Sequence, residues 1–310
     1  MIDTIAHPLP HGITLQCRTR GERGRPVLLF LHGFPEGAFI WDALLDHFAD
    51  PAHGGYRCVA PWLRGFAPSS HPPEAEAYRA KHLVQDITAL IAAECGDGGP
   101  LAALVAHDWG GAVAWNLANQ RPDLMKRLVI VNSPHPGTFL RELQSNPAQQ
   151  AASQYMHFLC RPDAEALLAA DDFRRLFGFF DRPDGTAPDW LTPEVRDQYR
   201  ATWSGGLTGP CNYYRASPLR PPREGDAAAG ALSLADAMLT VKVPTRVVWG
   251  LGDPALLPGL LQGLEQWVPT LVRTEVPGAS HWIVHEQPEA VIQAIAESLR
   301  SPSGQSLQNQ

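Results

Sequence analysis

Residues 106–111 read AHDWGG. They follow an apolar run, Leu101 to Ala106, and open a segment from Gly110 to Gln120 that reads as a helix. A strand that turns sharply into a helix is where a G-x-S-x-G pattern exposes a nucleophilic serine. Here the central position is Asp108. An aspartate ahead of Gly-Gly also suits the N-cap of the following helix. The rest of the chain has to decide between a cap and a nucleophile.

The neighbouring segments set the fold class. PVLLFLHG (26–33), YRCVAP (56–61), LAALVAH (101–107), RLVIVNSP (127–134) and TRVVWG (245–250) are short and almost continuously apolar. That pattern suits parallel strands covered on both faces. A further strand is expected over 271–276. Helices are predicted over 78–95, 110–120 and 288–300. The alternation implies an α/β chain with a mostly parallel sheet and helices on both faces. It breaks between about residues 138 and 237. There, aromatic clusters at helical spacing, such as FRRLFGFF (173–180), occur among many prolines. A second helical domain or an inserted helical lid fits this stretch. The predicted division is a core of 1–137 and 238–310 with a lid of 138–237. Residues 218–230 read as a linker or long loop, and the polar tail 301–310 as disordered.

Composition narrows the function classes. The 310 residues carry a formal net charge of −7, with 45% hydrophobic and 18% charged residues. Such a chain can bury a sizeable core, and it lacks the basic face of a nucleic-acid binder. The five cysteines, Cys17, Cys58, Cys95, Cys160 and Cys211, are scattered and odd in number. They read as free thiols of a reducing compartment, so a cytoplasmic location is expected. No signal-peptide pattern opens the chain, and no apolar run approaches the ~18 residues of a membrane span. Monomer and homodimer are both compatible with the sequence.

In doubly wound sheets, sites form beyond the carboxyl ends of the strands. Four groups fall there: His32-Gly33-Phe34-Pro35, Asp108-Trp109, Asp253 after VVWG, and His281 in PGASHW. Alone, Asp253 before Pro254 suits a turn, and a lone histidine suits a satisfied surface position. Together they run in the order nucleophile, acid, histidine.

With those motifs (HGFP 32–35, HDWGG 107–111, WGLGD 249–253, GASHW 278–282, and NYYR 212–215 in the lid) the chain resembles the α/β-hydrolase-fold epoxide hydrolases over residues ~10 to 300. One departure is Ala106, where the family pattern has glycine. The resemblance implies the α/β-hydrolase fold and a small apolar epoxide as substrate, with no cofactor and no metal. It implies Asp108 as nucleophile, His281 as general base and Asp253 as its orienter. Backbone N–H groups of Phe34 and Trp109 would form the oxyanion hole. Tyr155 and Tyr214 would donate to the ring oxygen. Phe34, Trp109 and Trp282 would line the pocket. His32 and Arg64 are expected to hold loops, and His107 and His285 to be structural.

An aspartate nucleophile also suits dehalogenation. Haloalkane dehalogenases resemble this chain in the tryptophan after the nucleophile, here Trp109. One large group of them has Asn where this chain has Phe34. Haloacetate dehalogenases have Arg where this chain has Trp109. A non-catalytic ligand-binding protein on the same fold is a third alternative.

Overall fold

The computed structural model describes residues 1–96, 98–223 and 232–300. The expected tail 301–310 and the 224–230 part of the expected linker lie outside these residues. Eight strands form one sheet: β1 (Asp3–Pro8), β2 (Thr14–Arg20), β3 (Val27–Leu31), β4 (Arg57–Pro61), β5 (Ala103–His107), β6 (Leu128–Val131), β7 (Thr245–Gly250) and β8 (Leu271–Val276). Their order is β1-β2-β4-β3-β5-β6-β7-β8. The pairs β1–β2 and β2–β4 are antiparallel, and all others are parallel. Every residue of β3, β4, β5, β6 and β7 is buried, because helices cover both faces.

The helices of the sheet layer are α1 (Asp42–Ala49), α2 (Ala80–Cys95) and α3 (Asp108–Gln120). In α2 the buried apolar residues are Leu83, Val84, Ile87, Leu90 and Ile91, one stripe at helical spacing. Between β6 and β7 come α4 (Pro136–Ser145), α5 (Pro147–Ala152), α6 (Tyr155–Leu159), α7 (Ala164–Phe177), α8 (Pro193–Ser204) and α9 (Thr208–Ala216). Then α10 (Asp236–Leu239) leads into β7, and α11 (Ile283–Glu286) and α12 (Pro288–Arg300) follow β8. Among the described residues, no strand interrupts the helices between β6 and β7.

Two expected helix starts need correction, and one strand pair lies outside the expectations. The antiparallel pair β1–β2 had no counterpart in the sequence reading. The helix expected from Gly110 begins at Asp108. The helix expected from residue 78 begins at Ala80, after a short 3₁₀ turn at Ala75–Tyr78.

Strand register sets the site. Leu31 pairs with Ala106, His107 with Val131, and Val131 with Val248. The carboxyl ends of β3, β5, β6 and β7 therefore lie side by side. The helices after β6 dock onto that edge through long-range hydrogen bonds. Trp203 Nε1 donates to Pro35 O at 2.6 Å, Tyr213 Oη to Arg64 O at 2.9 Å, and Asn212 Nδ2 to Pro73 O at 3.0 Å. At Gly65 and Gly209 the two backbones meet so closely that a Cβ on either would strike the other.

Candidate active site

Asp108 is the first residue of α3 and has φ 48°, a left-handed conformation that is uncommon for a non-glycine residue. The turn is so tight that a Cβ on Gly110 would lie 2.5 Å from Leu31 O and 2.6 Å from His32 O. A Cβ on Gly33 would collide with the Asp108 carboxylate. These glycines let β3, the loop after it and α3 close around one side chain. The Asp108 side chain does not cap its helix. Its Oδ1 accepts the Phe34 N–H at 2.7 Å, and the nearby Trp109 N–H favours the charged form of the carboxylate. Burial raises the Asp108 carboxyl above its ordinary value, against the pull of His281, His107 and the two N–H groups.

The other oxygen, Oδ2, lies 3.8 Å from His281 Nε2. His281 follows β8 and presents Nδ1 to Asp253 Oδ2 at 2.6 Å. Burial works against a charge on His281, but Asp253, Asp108 and Glu36 outweigh it and raise its pKa to about 9. Asp253 is itself fully satisfied. Its Oδ1 accepts the N–H groups of Ala255 and Leu256 at 2.8 and 2.9 Å, and its Oδ2 also accepts Asn132 Nδ2 at 2.8 Å. Burial would raise its carboxyl, yet His281 and these donors hold it below the ordinary value.

Tyr155 on α6 and Tyr214 on α9 face Asp108 across a cavity of about 270 Å³. Their ring centroids are 6.0 Å apart, with the rings edge to face. Burial and the nearby Asp108 charge push both phenol pKa values up, so both remain protonated donors. The Trp109 ring sits edge-on to Tyr214 with centroids 5.0 Å apart. Trp109 lines the cavity, but Phe34 and Trp282 do not, which corrects the expected pocket. The Phe34 ring sits edge-on to Tyr214 and Phe179, and Trp282 packs on Phe180 and donates to Phe179 O at 3.1 Å.

The supporting histidines and Arg64 have clear partners. His32 Nδ1 bonds Gly33 O at 2.9 Å, and its Nε2 accepts the Leu63 N–H at 3.1 Å. Arg64 grips Asp86 with bonds of 2.7 and 2.6 Å. His107 Nε2 lies 2.9 Å from His281 O, and its Nδ1 lies 3.0 Å from Glu36 Oε2. The carbonyl can only accept, so His107 Nε2 donates to it. Glu36 Oε1 takes the Tyr199 hydroxyl at 3.0 Å and lies 2.8 Å from His285 Nε2. Burial alone would raise the Glu36 carboxyl, but donors from His107 and His285 hold it well below the carboxylate range.

Two contributors escaped the sequence reading. Asn132 sits at the end of β6 with φ 36° and bridges Asp253 and Gly250 N. Glu36 is wholly buried one residue past HGFP. The position of Asn132 at a strand end was a usable signal. Glu36 had none beyond being an acidic residue beside a motif. Among the described residues, no group of three or more His, Cys, Asp or Glu side chains is placed to hold a metal ion.

A nucleophile on a strand-to-helix elbow, served by an acid and a histidine from later strand ends, is the defining arrangement of the α/β-hydrolase class. Residues 26–288 match the alpha/beta hydrolase fold family. The chain is 35% identical over 297 residues to the AB hydrolase superfamily protein YfhM of Bacillus subtilis, covering 94% of this chain and 96% of that protein. It is 33% identical to Epoxide hydrolase 3 of Xenopus tropicalis, covering 93% of this chain and 75% of that protein. A solved structure described as a novel epoxide hydrolase from metagenomes of hot environments superposes with a TM-score of 0.83 at 35% identity, over 97% of this chain and 100% of that one. The chain thus belongs to the α/β-hydrolase family of enzymes and groups within it with the epoxide hydrolases.

Proposed function

We propose that the protein is an epoxide hydrolase that converts an apolar epoxide and water to a vicinal diol through an ester on Asp108. The observation that carries this reading is the division of labour between the two Asp108 oxygens. Oδ1 is held by the Phe34 N–H, while Oδ2 faces the cavity and His281. Oδ2 attacks a ring carbon as the C–O bond breaks. The departing ring oxygen takes a proton from the Tyr155–Tyr214 pair. Phenol donors stabilise the developing alkoxide more than the neutral ring, so they speed this step.

Ester formation removes the negative charge of Asp108. His281 then loses one of the anions that raise its pKa and becomes a better general base. It takes a proton from water, which attacks the Asp108 carbonyl carbon. The resulting oxyanion is on Oδ1, beside the Phe34 N–H. One such donor is typically worth ~3 kcal/mol. Collapse of the oxyanion breaks the bond between the Asp108 carbonyl carbon and Oδ2. The diol leaves with the proton that His281 took, and the proton left on the Asp108 carboxyl returns to the phenol pair. Asp253, itself anchored by Asn132, keeps His281 oriented. A halide leaving group needs N–H donors in the cavity. The two phenols that line the cavity with Asp108 suit an oxygen leaving group instead.

We further propose residues 138–237 as the lid and the cytoplasm as the location. All five cysteines are unpaired, which suits a reducing compartment. Among the described residues, no helix is long and apolar enough to cross a membrane.

A single turnover in heavy-oxygen water tests the mechanism. The first diol is expected to be free of label, because its new oxygen is Oδ2 of Asp108. Label in that first diol would mean direct attack by water and would end the proposal. Asp108→Ala should abolish turnover while keeping the fold.

A further inference from the structure

The cavity beside Asp108 runs along α3. Its floor is a single face of α3: Asp108, Trp109, Ala112, Val113 and Asn116. From Asp108 to Asn116 the helix rises about 12 Å, at about 1.5 Å per residue. At its outer end the lining reaches Met238, which is 62% exposed and marks the mouth. Beside Tyr155 and Tyr214, rings that do not line the cavity pack together. Phe34 meets Phe179 and Tyr214 with centroids at 5.7 and 5.3 Å, and Tyr155 meets Phe179 at 6.1 Å. Behind them Phe180 packs on Trp282 at 4.5 Å, and the Trp282 indole is tied to Phe179 O. A volume of about 270 Å³ is also small, because ligand pockets usually span ~300–1,000 Å³.

Resting on the epoxide-hydrolase reading, we infer that the substrates are terminal epoxides with one apolar arm. The arm lies along α3 towards Met238. The other ring carbon carries only hydrogens, because a second large substituent would run into the Phe34–Phe179 wall. Ala112 and Phe179 are then the specificity-determining positions: the first leaves room for the arm, and the second closes the far flank.

The test compares diol formation from benzyl glycidyl ether, trans-stilbene oxide and propylene oxide. For the first over the second, kcat/KM should be higher by about 100-fold or more, since a pocket that lacks even one methylene of room can discriminate 10–200-fold. Ala112→Phe should lower kcat/KM for benzyl glycidyl ether and spare propylene oxide. Phe179→Ala should raise the rate with trans-stilbene oxide. Equal efficiency with the two large epoxides, or an equal loss with propylene oxide in Ala112→Phe, overturns the inference. A second measurement keeps it separate from the chemistry: fluorescence titration of Asp108→Asn, in which Trp109 lines the cavity. If the parent makes no diol from any of the three, yet this variant binds benzyl glycidyl ether and not trans-stilbene oxide, the epoxide-hydrolase reading falls and the one-armed pocket stands. Binding both alike, or neither, removes the pocket inference.

Discussion

His281 faces two carboxylates of different duty. Asp253 keeps its charge throughout, but in the proposed scheme the charge of Asp108 disappears once the ester forms. The free-enzyme pKa of about 9 therefore belongs to an imidazole with both neighbours ionised. In the ester, His281 should titrate lower. The proposed role as base requires the neutral form, so ester hydrolysis should rise with pH and level off at a midpoint below that of the free enzyme. Pre-steady-state hydrolysis rates against pH, compared with an NMR titration of His281, measure both. Coincident midpoints would rule out Asp108 as the source of the difference. In the same scheme His281→Gln should form the ester and then stall, leaving an adduct visible by mass spectrometry of the intact protein. Rapid steady-state diol production by that variant would refute the assignment. That Asp108, Asp253 and His281 come together was legible in the sequence because each follows a strand and the three come in a recognisable order. Asn132 and Glu36 were not, because they act through hydrogen bonds to other side chains, and such partners become visible only when strands are placed side by side.

The helices between β6 and β7 bring the two phenols to Asp108. Tyr155→Phe or Tyr214→Phe should each slow ring opening, since one donor remains. The double variant should lose about 10²–10⁴-fold, the usual worth of general acid help. The loss should appear in alkylation and not in ester hydrolysis, which stopped-flow fluorescence separates. A folded double variant that alkylates at the parent rate would exclude the two-tyrosine mechanism. The contact of α9 with the loop after β4 offers a stability test. Gly209→Ala places a methyl against the Gly65 backbone, and such overpacking typically costs about 1–3 kcal/mol. Urea denaturation should show that loss, and an unchanged midpoint would mean that the two segments can part freely. The buried parallel strands were readable because they are apolar throughout. The β1–β2 pair was not. In β2 the core-facing residues are Leu15, Cys17 and Thr19, alternating with polar ones, and two of those three are not strongly apolar. In β1 most residues are exposed.

Across the molecule, the shifted groups set limits on stability at both ends of the pH range. His281 is raised from 6.5 to about 9. Its contribution is complete below 6.5 and is lost as pH climbs through 9. Glu94 moves the other way. Burial would raise its carboxyl, but hydrogen bonds from His7 and Arg57 lower it from 4.5 to about 2. Its contribution is present above 4.5 and is lost as pH falls towards 2. Thermal unfolding should therefore show the highest midpoints between about 4.5 and 6.5 as far as these two groups act. His281→Gln should flatten the alkaline limb. An alkaline limb of parental slope in that variant would show that other groups produce it.

The strands β6 and β7 are neighbours in the sheet, with Val131 beside Val248, yet the whole helical insertion separates them along the chain. That separation has a consequence in time. Pairing β7 with β6 closes a very long loop, and such distant contacts form late and slowly. β8 can join only after β7, so Asp253 and His281 reach Asp108 at the end of folding. On dilution from urea, far-UV circular dichroism should recover first, and hydrolytic activity should lag behind it. Simultaneous recovery with one shared rate would show that the final strands dock along with the rest.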